Sequence, residues 1–168
     1  NYKSYKNEVK FMSRFSFIAS NSPLPEVDHT GFVRMKVRDF KILNIKTNGL
    51  ISIDNIDEDS EMLYAEDETK LNDLRISLCK NPPYDLEMYI NKEFIYWLDG
   101  FFEKSSCKDQ FFDYLIALDQ SKTSDLEVWS IWFGDGKQRI EYRTIKLSTL
   151  QSSDLEVLKE VNYCIDFE

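Results

Sequence analysis

The sequence is poor in the residues that build the commonest cofactor and metal sites. It contains five glycines, three cysteines and one histidine in 168 residues. Neither G-x-x-x-x-G-K-[ST] nor G-x-G-x-x-G occurs, so two common phosphate-binding loops are missing. A single histidine excludes every metal motif that needs a histidine pair, and the cysteines form no C-x-x-C. We therefore expect no cofactor and no bound metal.

The cysteines and the histidine are expected to be structural. Cys79, Cys107 and Cys164 are odd in number and widely spaced, which predicts reduced, buried thiols. Cys107 lies near a predicted helix N-terminus, where unpaired amides stabilise a thiolate, so a reactive thiol is an alternative at that position. His29 follows Asp28 in a loop that contains prolines, and we expect it on the surface.

The chain also lacks a long apolar run and an excess of positive charge. No segment approaches the roughly 20 consecutive apolar residues of a transmembrane helix. Lys and Arg number 21 against 30 Asp and Glu, which gives a net charge of -9. A binder of nucleic acid or of an anionic membrane needs a basic face. We therefore expect neither partner, and a cytoplasmic location.

The length fits one domain of ordinary size. The polar start of the chain is interpreted as a non-native or flexible extension, residues 1–11, and residues 12–168 as a single α+β domain. In the first half, apolar patterning predicts strands over residues 11–19 and 62–65. Residues 32–45 alternate and then break, which fits either a basic-faced strand or a short helix.

The second half of the chain has the clearest pattern. Two hairpins are predicted, over residues 86–98 and 126–147. An amphipathic helix is predicted between them over residues 105–120. A capping box at Ser153–Glu156 predicts another helix, followed by a last strand at 163–167. The fold class is therefore α+β, with a mainly antiparallel sheet built from hairpins and two or three helices packed against it.

The negative charge is concentrated in one segment. Residues 1–46 carry nine basic and four acidic side chains, whereas residues 54–73 carry nine acidic and one basic, for a local charge of -8. Such a concentration can accelerate the encounter with a basic protein partner, although many acidic loops serve only solubility. The candidate partner-binding residues are Asp54, Asp57, Glu58, Asp59, Glu61, Glu66, Asp67 and Glu68.

A calcium site is a weaker interpretation of the same segment. Asp57, Asp59 and Glu61 have the spacing found at the start of an EF-hand loop, and Glu68 would have to supply the bidentate ligand. No glycine stands at the sixth position, where the sharp turn of that loop requires one.

Aromatic residues on the predicted strands form the second candidate site. Successive residues of a strand face opposite sides of a sheet. Trp129 and Trp132 are three positions apart, so they must face opposite sides. Unless both faces are covered, one large ring is left for a ligand or a partner. The candidate aromatic pocket comprises Trp97, Trp129, Trp132 and Tyr142.

Short motifs of turn residues and core aromatics occur at Met12–Ser20, Pro23–Val27, Asn81–Tyr84, Ile95–Trp97 and Trp132–Gly136. Together they resemble a family of small uncharacterised cytoplasmic proteins from Gram-positive bacteria, and the resemblance covers residues 12–168. None of these motifs is a catalytic signature, so the resemblance implies no role for a named residue. In size, acidity and α+β character the chain also resembles, in type, immunity proteins that neutralise secreted bacterial toxins.

These observations favour a non-enzymatic protein-binding domain over an enzyme. The leading hypothesis is an immunity protein whose acidic segment occupies the basic cleft of a toxin such as a nuclease. One alternative is a small-molecule-binding protein or enzyme that uses the aromatic pocket. The other is a homodimeric structural or interaction domain.

Overall fold

The computed structural model describes residues 13–45, 52–119, 125–134 and 136–168. The α+β class and the mainly antiparallel sheet are confirmed. Contacts within the described chain group it into two compact units, whereas the sequence predicts one domain. The larger unit comprises described residues up to 28 and from 73 onward, and the smaller unit comprises residues 29–72. The predicted extension, residues 1–11, lies outside the described residues.

The elements follow one another in a regular order. Among the described residues, the strands are β1 (Ser13–Ser20), β2 (Val27–Asp28), β3 (Phe32–Lys36), β4 (Glu61–Ala65), β5 (Arg75–Leu78), β6 (Phe94–Asp99), β7 (Leu126–Phe133), β8 (Glu141–Ile145) and β9 (Tyr163–Phe167). The α-helices there are α1 (Val37–Ile42) and α2 (Ser105–Ala117), and 3-10 helices span Ile53–Asn55, Glu68–Lys70, Leu86–Met88, Leu147–Thr149 and Ser152–Lys159.

The larger unit is built on a seven-stranded sheet in the order β2-β5-β6-β1-β7-β9-β8. Every neighbouring pair is antiparallel except β8 and β9, which are parallel. The predicted first strand is confirmed as β1, near the middle of the sheet. Phe17 and Ile18 point to opposite faces and both are fully buried, as expected of a strand covered on both sides.

Helices cover one face of this sheet. Phe111 and Leu115 of α2 and Leu155 and Leu158 of the Ser152–Lys159 helix are buried against it. The predicted helix over 105–120 is confirmed as α2. The predicted capping box is wrong in detail, because the reciprocal bonds join Gln151 to Asp154 and the helix that follows is 3-10.

The segment after the two prolines covers part of the opposite face. Leu86 and Ile90 are buried there against Phe17 and Ile131. The predicted hairpin over residues 86–98 is wrong, because its first half is a helical turn in which the Ile90 amide donates to the Leu86 carbonyl at 3.1 Å. Leu86, Tyr89 and Ile90 recur at i, i+3 and i+4, which is a helical spacing and not the alternation of a strand.

The predicted hairpin over residues 126–147 is also wrong, although both of its strands exist. β9 lies between β7 and β8 and pairs with each of them. Four of the five β9 residues are buried, whereas Glu141, Tyr142 and Thr144 of β8 are exposed. The more apolar strand therefore takes the interior position, where both of its faces leave water, and the polar strand takes the edge.

The smaller unit is a two-stranded ribbon with a short helix. β3 pairs with β4, which confirms the strand predicted at residues 62–65. Residues 32–45 form both of the structures that the sequence allowed, because β3 leads directly into α1. Val37 and Phe40 of α1 are buried, and the Phe40 ring meets Tyr64 edge-on at 5.7 Å.

Candidate functional site

The acidic segment, defined here as residues 54–68, begins with two tight turns of the smaller unit. Asp54 lies in the Ile53–Asn55 helix. The Asp57 carboxylate accepts the Asp59 amide at 2.9 Å, a local bond by which aspartate favours a turn. Asp67 caps the next helical turn by accepting the Thr69 amide at 2.9 Å. Seven of the eight candidate carboxylates are exposed, and the eighth, Asp67, is half-buried.

Basic side chains of β3 and α1 lie beside this segment. Two backbone hydrogen bonds join α1 to the acidic segment. The Val37 amide donates to the Ser60 carbonyl and the Arg38 amide donates to the Glu58 carbonyl, each at 3.0 Å. The ion pairs that result are Arg34–Glu61 at 3.1 Å, Lys36–Asp59 at 3.3 Å, Lys41–Glu58 at 3.3 Å and Arg38–Asp59. Exposed pairs of this kind each contribute about 0–1 kcal/mol.

Most of the charge of the acidic segment is therefore compensated within its own unit. Residues 29–72 contain six basic and nine acidic side chains, a net charge of -3, compared with -8 for the acidic segment, residues 54–68, which has eight acidic and no basic side chains. Asp54, Asp57 and Glu66 have no ion pair with a cation among the described residues. A partner can meet these three groups without displacing an internal cation.

Apolar side chains are exposed next to these charges. Leu63 is 59% exposed and Ile42 is 77% exposed. Leu63 lies opposite Arg34 in the ribbon, and Phe32 lies opposite Ala65 on the same face. The ribbon thus presents exposed apolar side chains among exchangeable ion pairs, a composition typical of a protein-binding surface.

Three of the four predicted pocket residues lie in one row on the larger unit. Phe17 is directly opposite both Trp97 and Trp129, and Cys164 is directly opposite both Trp129 and Tyr142. Each pair of neighbours in the row shares a face of the sheet.

Trp132 is excluded from this row, because it differs from Trp129 in parity along β7 and faces the other side of the sheet. Trp129 is buried, and Tyr142 meets its ring edge-on at 5.9 Å. The row is therefore packed core with one exposed ring, Tyr142, at its end.

A cleft opens on the same face, beside the row, where Phe15 lies two residues before Phe17 on β1. It has a volume of about 480 Å³ and is lined by Phe15, Tyr84, Asp85, Met88, Tyr89 and Phe133, together with Pro83, Gly134 and Gly136. Trp97 stands behind it, with its ring 5.5 Å from that of Phe15. None of these lining residues is among the predicted site residues, although Pro82-Pro83 followed by the helical spacing of Leu86, Tyr89 and Ile90 signals a folded loop there.

A smaller cleft of about 280 Å³ includes Arg14 and Asp99. The Arg14 guanidinium already donates to the Leu158 and Lys159 carbonyls and to the Ser130 hydroxyl. These bonds cap the C-terminal end of the Ser152–Lys159 helix. The hydrogen bonds of Arg14 therefore join β1 to β7 and to the Ser152–Lys159 helix, which is a structural role.

A half-buried charge cluster of the larger unit surrounds Lys92. Its ammonium lies 3.1 Å from Glu127 and 3.8 Å from Asp125, and Glu127 also accepts the Trp129 indole N–H at 2.9 Å. Burial alone would raise the pKa of Asp125, but hydrogen bonds from the Asn21 amide and other neighbours hold that pKa below its usual value. The charges are mutually satisfied, as a structural role requires.

The thiols are poorly suited to nucleophilic chemistry. The cysteines are free, with Cys107 and Cys164 buried and Cys79 half-buried. Burial, with the Asp73 carboxylate beside it, raises the pKa of Cys107 to about 12. Burial also raises the pKa of Cys164 to about 12. At neutral pH both groups are protonated, so the position of Cys107 near the start of α2 does not produce a thiolate.

The described residues contain no group of three or more histidine, cysteine, aspartate or glutamate side chains placed to hold a metal ion. His29 is exposed, as predicted. In the same part of the chain, no helix has both the length and the apolar character needed to cross a membrane.

Comparison of the chain with protein-family models, with curated proteins and with solved structures found no match. The functional assignment therefore depends on the geometry of the two surfaces described above, the ribbon and the cleft.

Proposed function

We propose that the protein is a non-enzymatic protein-binding domain whose smaller unit contacts a partner with a basic surface. The observation that supports this most is the combination found on one ribbon, where Leu63 and Phe32 are exposed beside carboxylates. Apolar contacts supply most of the affinity of an interface, and charges supply encounter rate and register. The ribbon offers both.

The ion pairs of the ribbon are compatible with such a contact. Lys36 and Asp59 are both largely exposed and lie in high dielectric, so a partner arginine or lysine can replace the internal cation at little cost. Asp54, Asp57 and Glu66 add negative charge that no described cation offsets. A partner with a basic cleft would meet this charge first.

The resemblance in type to immunity proteins supports one class of partner, a secreted bacterial toxin such as a nuclease whose cleft is basic. The free cysteines support a cytoplasmic setting, where thiols stay reduced. In this proposal the acidic segment covers the cleft and excludes the toxin's substrate.

The proposal is tested with a variant that removes charge without breaking the internal ion pairs. Asp54→Asn, Asp57→Asn and Glu66→Gln together remove three charges, and the side-chain carbonyl introduced by Asp57→Asn can still accept the Asp59 amide. The matched control removes three exposed charges from the larger unit, by Glu87→Gln, Asp109→Asn and Asp113→Asn. The affinity of each variant and of the unchanged protein is measured for a toxin encoded next to the gene of this protein, at several salt concentrations.

We expect the ribbon variant to bind several-fold more weakly than the control, with a smaller dependence of affinity on salt. Equal affinity and equal salt dependence for the two variants would show that the acidic segment does not contact the partner.

Small-molecule binding is the second candidate function, and the cleft of about 480 Å³ favours it. That volume falls in the range of ordinary ligand pockets, roughly 300–1,000 Å³. Because Trp97 packs against Phe15 at the back of the cleft, a ligand that displaces water there should change tryptophan fluorescence. The cleft and the ribbon share no residue, so the two candidate functions can be tested separately.

A further inference from the structure

The aromatic rings of the cleft are arranged around a concave space. The Phe133 ring lies 5.8 Å from Phe15 at 56° and 6.0 Å from Tyr89 at 76°. Rings inclined so steeply cannot form a flat stack, and they present faces and edges from several directions. A positive charge is attracted to the negative face of an aromatic ring within about 6 Å of the centroid.

The rim of the cleft belongs to the helical turn over residues 84–90, which is packed against the sheet. Leu86 and Ile90 are buried beneath it, while Tyr84 is 87% exposed and Met88 is also exposed. The Tyr89 hydroxyl accepts the Gln138 amide at 2.8 Å, which fixes the position of that ring. The lining is therefore largely organised before any ligand arrives, which lowers the entropy lost on binding.

Among the described residues of the lining, Asp85 carries a carboxylate. Asp85 is half-buried and adopts the left-handed backbone conformation, with φ of 69°. It forms no ion pair with a cation among the described residues. The half-buried carboxylates of the Lys92 cluster, by contrast, do have a cation. A carboxylate beside aromatic faces leaves the cleft suited to a ligand that brings its own positive charge.

We infer that this cleft binds an organic cation, a small molecule with an alkylated ammonium group. This inference rests on the second candidate function and names its ligand class. The alkyl groups would contact Phe15, Tyr89 and Met88, Tyr84 would close over them from the rim, and Asp85 would neutralise the charge. A simple inorganic cation lacks the apolar surface that these contacts require, and a neutral ligand leaves Asp85 without a partner.

The test compares two probes of one shape. Choline carries a quaternary ammonium group, and 3,3-dimethyl-1-butanol replaces its nitrogen with carbon and has no charge. Binding of each is followed by tryptophan fluorescence and by calorimetry with the whole chain. We expect choline to bind at least roughly fivefold more tightly than the neutral probe, as a cation–π contribution near 1 kcal/mol implies.

Two variants assign the effect to the cleft. Asp85→Asn keeps a side chain that tolerates the left-handed conformation, and it should weaken choline binding severalfold without changing binding of the neutral probe. Tyr84→Ala changes an exposed residue, so the fold is retained, and it should weaken choline binding severalfold. Glu87→Gln and Tyr142→Ala, which change exposed groups outside the cleft lining, should leave choline binding unchanged.

The outcomes separate the ligand class from the second candidate function. If the two probes bind with equal affinity, the cleft takes small molecules but the inference of a cation is wrong. If choline binds equally well to Asp85→Asn and to the unchanged protein, the role of the carboxylate is refuted. If neither probe changes the fluorescence or the heat signal up to tens of millimolar, the inference of an alkylated ammonium ligand is refuted, whereas the second candidate function would be refuted only by the absence of binding to small molecules of other classes.

Discussion

The Lys92 cluster of the larger unit and the ion pairs of the ribbon differ in how far water reaches them. In the larger unit the Lys92 side chain is only 14% exposed and its partner Glu127 is 20% exposed. In the smaller unit the Lys36 side chain is 47% exposed and its partner Asp59 is 70% exposed. Water and salt screen the second pair far more than the first. The Lys92 cluster thus stabilises the larger unit internally, whereas the Lys36–Asp59 pair of the ribbon remains open to solvent.

The largest expected effect concerns the core of the larger unit. Phe111 is fully buried between α2 and the sheet and packs against Phe102, so Phe111→Ala should lower the free energy of unfolding by about 3–5 kcal/mol. Leu63→Ala, in the ribbon, should change it by less than about 0.5 kcal/mol because the side chain is already in water. Urea denaturation measures both, and similar losses would contradict the assignment of Leu63 to an open surface.

The next effect tests the half-buried charge cluster. Lys92→Met removes the cation and leaves Asp125 and Glu127 close together in a half-buried site, which should cost about 1–3 kcal/mol. The matched change in the ribbon is Lys36→Met, which should cost less than about 1 kcal/mol. Equal values from denaturation curves would remove the contrast between the two units.

A smaller effect follows from the acid titration of Asp73. This carboxylate is buried, and although burial raises its pKa, hydrogen bonds from Gln110, Lys104 and Ser106 hold the pKa below the ordinary value of 3.8. A lowered pKa contributes stability that is fully present above pH 3.8 and is lost as the pH falls toward the lowered value. The unfolding free energy should therefore decrease below about pH 4 through this group.

Substitution of Asp73 tests this contribution. Asp73→Asn should remove part of the acid dependence of stability that the unchanged protein shows. If Asp73→Asn and the unchanged protein lose stability in parallel as the pH falls from about 5 to about 3, Asp73 does not contribute as described.

The smallest expected effect is that of salt on the ribbon. Screening of Arg34–Glu61 and Lys41–Glu58 at about 0.5 M NaCl should change the unfolding free energy by only about 0.5 kcal/mol, because each pair is weak at the start. Thermal denaturation at low and high salt measures this change. A loss of several kcal/mol would mean that these pairs stabilise the fold and are not free to exchange.

Local patterns predict the local elements well. β1 and α2 follow from the sequence because Phe17 and Ile18 mark a strand buried on both faces, and because Phe111 and Leu115 recur at helical spacing. The pattern does not reveal β5, since only Ile76 of its four residues is fully buried. Nor does it reveal the position of β9 between β7 and β8, because strand order depends on which strand gains most from burial and not on closeness in sequence.

The candidate sites are likewise predictable only where they depend on local sequence. Composition alone identifies the acidic segment but not its partners, since Lys36 meets Asp59 only through the pairing of β3 with β4. The aromatic row is predictable only in part. The alternation of side chains along a strand separates Trp129 from Trp132, but it cannot show that Trp97 pairs with Phe17 on the neighbouring strand. The cleft is not predictable, since Phe15, Tyr84 and Phe133 come from three distant parts of the chain.

The most direct test of the proposed division between the two units is a hydrogen-exchange footprint of the protein bound to the proposed toxin partner. We predict that protection on binding is confined to β3, α1 and the acidic segment, with the backbone amides of the large sheet unchanged. Protection confined to the larger unit, for example along the exposed β8 edge as a homodimer would produce, would contradict the proposal that the smaller unit is the binding surface.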